Sequence, residues 1–257
     1  MPSLHVHRFG PASGPAVLAL HGLTGHGRRW EPLATEHLPE VRVIAPDLRG
    51  HGRSTPLPPW DFETVVADLA VLLADEDGPV LVVGHSFGGA VGIHLAATHP
   101  EFVRGLVLLD PAIAVDPALL ADIAERTLAE PDFADVEHAR RDKLASSWHE
   151  VEPRLLDIEL AEHLVPTEGG RVGWRLSLPA VTSYWGQLAR PFILPPAGLP
   201  TVLAQAMKVQ PPFVSAEFRA ALAERLGTAL TVREFDCDHM IAQARPAETA
   251  ALVRAAL

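Results

Sequence analysis

Apolar residues along the chain fall into short continuous runs, separated by longer stretches in which they recur every three or four positions. The runs are "AVLALH" (16–21), "VRVIAP" (41–46), "PVLVVGH" (79–85), "GLVLLD" (105–110), "TVLAQA" (201–206) and "ALTVREF" (229–235). Continuous apolarity, as opposed to strict alternation, predicts strands covered on both faces, the signature of a parallel sheet. Between them "ETVVADLAVLLADE" (63–76), "GAVGIHLAATH" (89–99) and "SAEFRAALAERLG" (215–227) carry helical spacing, the last with Ser215 placed to cap it. The alternation of strand and helix predicts an α/β fold with a mostly parallel, doubly wound sheet. The opening "LHVHRFG" adds a candidate edge strand.

One interval breaks the alternation. From Pro111 to about Leu199 no strand is expected; helix-like segments, Trp148, Trp174, Trp185 and the proline-rich "RPFILPPAGLP" fill it. The expected organisation is therefore a core made of residues 1–110 and 200–257, with 111–199 inserted as a helical cap. Ligands of open α/β sheets bind beyond the carboxyl ends of the strands, where this insertion begins. The plainer alternative is extra helical packing with no part in binding.

Length and composition narrow the class. A chain of 257 residues, 48% apolar and 21% charged, is long enough for one large core and has an ordinary globular composition. Its formal charge of −11, with no compensating basic run, disfavours nucleic acid as a partner. Cys237 is the lone cysteine, so no internal disulfide can form. No stretch has the roughly 18 uninterrupted apolar residues of a membrane span, and the amino-terminal segment lacks the pattern of a secretory signal. A cytoplasmic location is expected, and nothing in the sequence calls for a cofactor or metal.

The chemistry centres on Gly84-His85-Ser86-Phe87-Gly88, a G-x-S-x-G stretch with a buried strand before it and a helix after it. A serine at such a turn is pushed out above the sheet, with the flanking glycines letting strand and helix approach. The alternative, a phosphate loop at a helix N-terminus, would call for more glycines or a nearby lysine. A serine hydroxyl needs a base. Of thirteen histidines, His239 in "FDCDHMIAQARPAE" lies in the loop after the last expected strand, on the same sheet edge as Ser86. His21, His51 and His85 flank tight glycine turns, where an imidazole can simply bond backbone, and His94 and His99 lie along the following helix in structural positions.

The order and spacing of "HGLTG" (21–25), "DLRGHGRS" (47–54), "GHSFGG" (84–89) and "DHM" (238–240) resemble the α/β-hydrolases over nearly all of the chain outside the cap. The resemblance implies a serine nucleophile, a triad in the order serine, acid, histidine, and an oxyanion hole built from the backbone N–H groups of Leu23 and Phe87. It gives Asp47, in "DLRGHGRS", a structural place only. The acid departs from the commonest family pattern. "TVLAQAMKVQPPF", after the seventh strand of the family's sheet, contains no carboxylate, and Lys208 stands about where the acid would be. Glu217 comes too late, and Asp236 and Asp238 are too close in sequence to reach His239 Nδ1 easily. Asp110, directly after the sixth strand of the family's sheet and before the cap, is left as the candidate acid; its alternative is a turn residue capping the first cap helix.

The expected function is a serine hydrolase of the esterase or lipase kind, acting on a small, apolar carboxylic ester through Ser86, Asp110 and His239. A C–C bond hydrolase or a lyase resembling menaquinone-pathway synthases would use the same triad on anionic substrates, for which Arg175 and Arg190 are the candidate cations. A ligand receptor without catalysis is the third possibility. Dehalogenase and epoxide hydrolase chemistry is disfavoured, because those relatives carry an aspartate where this chain has Ser86.

Overall fold

The computed structural model describes residues 4–257. The first half of the chain lays down β1 (Val6–Phe9), β2 (Ala16–Leu20), β3 (Arg42–Pro46), α1 (Phe62–Leu73), β4 (Val80–His85), α2 (Phe87–Thr98) and β5 (Val103–Leu109). The helices α3 (Pro117–Ala129), α4 (Val136–Ala145) and α5 (Pro153–His163), the short strands β6 (Leu164–Pro166) and β7 (Val172–Trp174), and α6 (Leu178–Leu188) follow. The chain closes with β8 (Thr201–Ala206), α7 (Ala216–Leu226), β9 (Leu230–Phe235), α8 (Ile241–Ala244) and α9 (Pro246–Ala256).

The main sheet has seven strands in the order β1-β3-β2-β4-β5-β8-β9. Only the edge strand β1 runs antiparallel, to β3; every other pairing is parallel. The two-residue period of a strand sorts each apolar run onto opposite faces. Leu18, Leu20, Val82, Leu106 and Leu108 face one core with α1, α2, α6 and α7. Val17, Ala19, Val83, Val107 and Leu109 face a second core closed by α9 and the turns around Trp30 and Leu33. That double covering is why the runs are continuous and not alternating.

Helix starts follow local chemistry. Asp61, Asp116, Asp135, Ser177 and Ser215 each accept a backbone N–H in the first turn of α1, α3, α4, α6 and α7. Such caps contribute about 1 kcal/mol each. Because Asp116 caps α3, Asp110 is not the cap of the first inserted helix, the alternative weighed for it from sequence.

The insertion differs from expectation in one respect: Leu164–Pro166 and Val172–Trp174 pair as an antiparallel hairpin where no strand was expected. Counted along the described residues, the strand before the insertion is the fifth, β5. The inserted helices do not all stand apart from the sheet. Ala180, Val181, Tyr184 and Leu188 of α6 belong to the core under α2, and Tyr184 donates its hydroxyl to the carbonyl of Arg49 at 3.1 Å. Among the described residues no helix is long and apolar enough to cross a membrane.

Candidate active site

Ser86 sits between the last residue of β4 and the first of α2, with φ 54° and ψ −119°. A non-glycine residue at positive φ costs on the order of 1–2 kcal/mol, so the surroundings must hold it. Its N–H donates to Leu109 O at 3.1 Å, and its carbonyl accepts from Gly89 at 2.9 Å and Ala112 at 3.2 Å. Gly88 allows the close approach this requires: a Cβ there would stand 2.3 Å from the carbonyl oxygen of Leu20. The turn therefore rests directly on the neighbouring strand β2.

His239 lies in the loop between β9 and α8. Its Nδ1 donates to Asp110 Oδ2 at 2.6 Å. Asp110 is 1% exposed and is fixed on its other side, where Oδ1 accepts the N–H of Ala206 at 3.1 Å and its own N–H donates to Ala204 O at 2.7 Å. The end of β8, which has no carboxylate of its own, thus supplies the amide that orients the one from β5. The His239 ring stands edge-on to Phe213, 4.7 Å between centroids, and beside His85 at 4.5 Å. His85 Nε2 in turn bonds the carbonyl of His239 at 2.9 Å. The other acids considered for this place are elsewhere: Glu217 is in the first turn of α7, Asp236 is 93% exposed, and Asp238 accepts the backbone N–H of His239.

Gly22 brings the turn after β2 against the serine, for a Cβ on it would be 3.1 Å from Cβ of Ser86. Gly22, Leu23, Thr24 and Gly25 form a tight turn closed by Gly25 N–H donating to Gly22 O at 2.9 Å. Thr24 has φ 61°, the left-handed region that glycine usually occupies at the third residue of such a turn. Phe87 is the first residue of α2, so its N–H has no acceptor within the helix. The Leu23 and Phe87 amides are thus presented from a turn and a helix start that both border Ser86.

Ser86, Leu23, His85, His239 and Phe213 line one cavity of about 730 Å³, whose other walls come largely from the insertion. Trp148, Trp174, Trp185, Leu120, Val181 and Met240 make it mainly apolar. The cations on its walls are Arg29, Arg126 and Lys143. Arg175 and Arg190, the cations singled out from sequence, are not among its lining residues; Arg190 is held on the outside by Glu63 at 2.8 Å. For Arg190 the reason is its ion pair with Glu63 of α1 and its bond to Gln187, which hold it away from the cavity.

Sequence reasoning also missed a buried ionic group beside the cavity. Glu159 of α5, 2% exposed, accepts from Arg29 (Nε at 3.1 Å, and Nη2), His26 Nε2 at 3.0 Å and Lys143 Nζ at 3.2 Å. Burial opposes its ionisation, but the charges of Arg29, Lys143 and His26 outweigh that and hold its carboxyl well below the usual range. Burial likewise pushes Lys143 down to about 8, against the pull of Glu159. The ammonium lies 4.9 Å from the Trp148 ring and 4.6 Å from Trp174, so two faces of π density complete its surroundings.

His21, His51, His94 and Asp47 take structural places. His21 bonds Gly22 O at 2.9 Å and the N–H of Leu48 at 3.0 Å, and His51 bonds Arg49 O at 3.1 Å. His94 stacks on Phe62, 4.1 Å between centroids. Asp47 accepts from Gly27 N at 2.7 Å and Arg53 N at 2.8 Å; burial resists its ionisation, yet these bonds and His7 keep it below the ordinary carboxylate range.

The chain matches the Alpha/beta hydrolase family over residues 17–252. It is 52% identical to Lipase LipV of Mycobacterium tuberculosis, over 99% of this chain and 97% of that protein. It is 33% identical to the sn-1-specific diacylglycerol lipase ABHD11 of Mus musculus, over 68% of this chain and 59% of that protein. Among solved structures, E-2-(acetamidomethylene)succinate hydrolase superposes with a TM-score of 0.81 at 23% identity, covering 98% of this chain and 94% of its own. A marine microorganism esterase superposes with a TM-score of 0.79 at 19% identity, each chain covered completely. The last two share the fold at low identity, whereas the family match spans the parallel strands, the serine turn and the His239 loop together. The chain belongs to the alpha/beta hydrolase family.

Proposed function

We propose that this hydrolase cleaves a carboxylic ester with an apolar acyl or alcohol part, through an acyl-enzyme on Ser86. The observation that carries the reading is the hydrogen-bonded Asp110–His239 pair opening into the same cavity as a serine held at positive φ. His239 takes the Ser86 proton as the hydroxyl attacks the ester carbonyl, and Asp110 holds the tautomer with Nδ1 protonated and supports the imidazolium. The negative oxygen of the tetrahedral intermediate is received by the N–H groups of Leu23 and Phe87, the latter aided by the dipole of α2. Each such donor contributes on the order of 3 kcal/mol to the transition state. Collapse expels the alcohol, which takes the proton from His239. Water then repeats the sequence on the acyl-enzyme and regenerates Ser86.

In this reading residues 111–199 are a cap over a core of 1–110 and 200–257, and the cap supplies the tryptophans that receive the apolar part of the ester. The relative named a lipase, 52% identical along nearly the whole chain, supports an ester substrate. The buried cations at the cavity wall give less support to an anionic C–C hydrolase or lyase substrate, because Glu159 already engages Arg29 and Lys143. The test is hydrolysis of a chain-length series of p-nitrophenyl esters by wild type and Ser86→Ala. Turnover that depends on Ser86 and rises with chain length is the expected result; absence of turnover across the series would favour the receptor.

A further inference from the structure

We propose that Glu159 and His163 of the inserted helix α5 are positioning residues for the oxyanion hole, acting on the Leu23 amide through the carbonyl of Thr24. The proposal rests on the serine mechanism above and adds residues to which neither the sequence motifs nor that mechanism give a role.

Thr24 O accepts two hydrogen bonds from outside its own turn. Arg29 Nη2 donates to it at 3.2 Å, and His163 Nε2 lies 3.1 Å from it. Since a carbonyl can only accept, His163 carries its proton on Nε2; its Nδ1 is buried without a partner, and in the neutral ring that nitrogen holds no proton to be left unpaired. Arg29 has no freedom to choose another orientation, because Glu159 holds its guanidinium through both Nε and Nη2. His163 is stacked on Trp174 with 5.5 Å between centroids, which fixes its ring plane. Two residues of α5 therefore set the direction of the Thr24 carbonyl, one directly and one through Arg29.

That direction is transmitted by peptide planarity. The Thr24 carbonyl and the Gly25 N–H belong to one rigid plane. Gly25 N–H donates to Gly22 O, and Gly22 O shares its own plane with the Leu23 N–H. Fixing one plane thus fixes the next, and the Leu23 N–H points where the pair of planes sends it. The restraint is needed because Thr24 stands at φ 61°, a position where glycine would normally be found and where a threonine tends to relax toward negative φ. Such relaxation would rotate the turn and carry the Leu23 amide off the line to Ser86.

The experiment compares wild type, Glu159→Gln and His163→Phe, the latter keeping the stacking surface on Trp174 while deleting the bond to Thr24. Two quantities are read on p-nitrophenyl butyrate hydrolysis: the split between kcat and KM, and inhibition by a trifluoromethyl ketone, which forms a tetrahedral oxyanion on the serine. The expected result is a tenfold to hundredfold fall in kcat, KM within about threefold, and weakening of the ketone in proportion to kcat/KM, as for loss of one donor. A role confined to holding the insertion in place would instead raise KM with kcat and the relative ketone affinity unchanged, which would overturn the proposal. If Glu159→Gln does not fold, His163→Phe decides alone, and unchanged kcat and ketone affinity in it overturn the proposal. Ser86→Ala is run alongside: retained turnover in that variant sinks the serine mechanism, whereas its loss together with a wild-type-like His163→Phe sinks only this inference.

Discussion

Asp110 and His239, 129 positions apart in sequence, meet through a single 2.6 Å hydrogen bond that ends a strand on one side and a loop on the other. Asp110→Asn keeps the shape and the bond from the Ala206 amide but presents either a donor or a neutral acceptor to Nδ1. A fall in kcat on the order of ten-thousandfold, with KM little changed, is expected from the wrong imidazole tautomer and the lost support for its charged form. Steady-state kinetics on an activated ester measures it; a loss of less than about tenfold would remove Asp110 from the mechanism.

Ser86→Ala deletes one oxygen at a turn whose backbone bonds to Leu109, Gly89 and Ala112 are untouched. Turnover is expected to drop by on the order of a thousandfold or more, the remainder coming from binding and the oxyanion donors. The melting temperature should stay within a few degrees of wild type, and a purified variant that hydrolyses esters at the normal rate would contradict the mechanism.

Gly88→Ala tests the packing that supports the turn. The added methyl would lie 2.3 Å from the Leu20 carbonyl oxygen, backbone that cannot swing aside, so α2 must shift off β2. Destabilisation of roughly 1–3 kcal/mol is expected from overpacking, read by urea denaturation, together with reduced activity because Ser86 moves with α2. Full stability in this variant would show that the helix start is less constrained than its contacts imply.

Acid sensitivity follows from the buried histidines. Burial brings His51 down to about 4 from its ordinary 6.5, so the folded protein keeps it neutral while the unfolded chain takes up a proton. The unfolded state then binds more protons throughout that window, and stability must fall as pH falls from 6.5 toward 4. For this group alone the loss is roughly 3 kcal/mol at most. Burial shifts His94 the same way, and burial together with the neighbouring His51 holds His21 well below its ordinary value. His51→Gln should therefore flatten part of the acid limb of a stability curve measured by denaturant at a series of pH values; an unchanged limb would mean that His51 does not titrate in that range.

The centre of the sheet was legible because β2, β4 and β5 are buried on two faces, and burial on two faces writes itself as an unbroken apolar run. The hairpin Leu164–Pro166 with Val172–Trp174 was not, since three residues are too few to show a period and one of them is a proline. The proximity of Asp110 to His239 could be anticipated from the missing carboxylate in "TVLAQAMKVQPPF". What could not be anticipated is Ala206, whose amide steadies Asp110 from that same segment. Glu159 and Lys143 were invisible for a different reason: on helices rich in charge they look like solvated positions. Glu159 is paired inside by Arg29, 130 positions away in sequence, and Lys143 in turn by Glu159.

The strands that the insertion leaves and rejoins, β5 and β8, are parallel neighbours, with Leu109 opposite Ala204. A parallel pair cannot be closed by a tight turn; some crossover of a dozen or more residues is compulsory between them. The inserted segment is thus an obligatory link enlarged, not an ornament added to a finished sheet. Evolution or an engineer can trade its outer helices for others, but the stretch from α6 to Pro200 must survive every exchange, because Tyr184 and Leu188 close the core beneath Phe87. If the insertion shapes the substrate site as proposed, variants are therefore best sought in α3 and α4, with α5, which carries Glu159 and His163, and α6 with its Ser177 cap left intact.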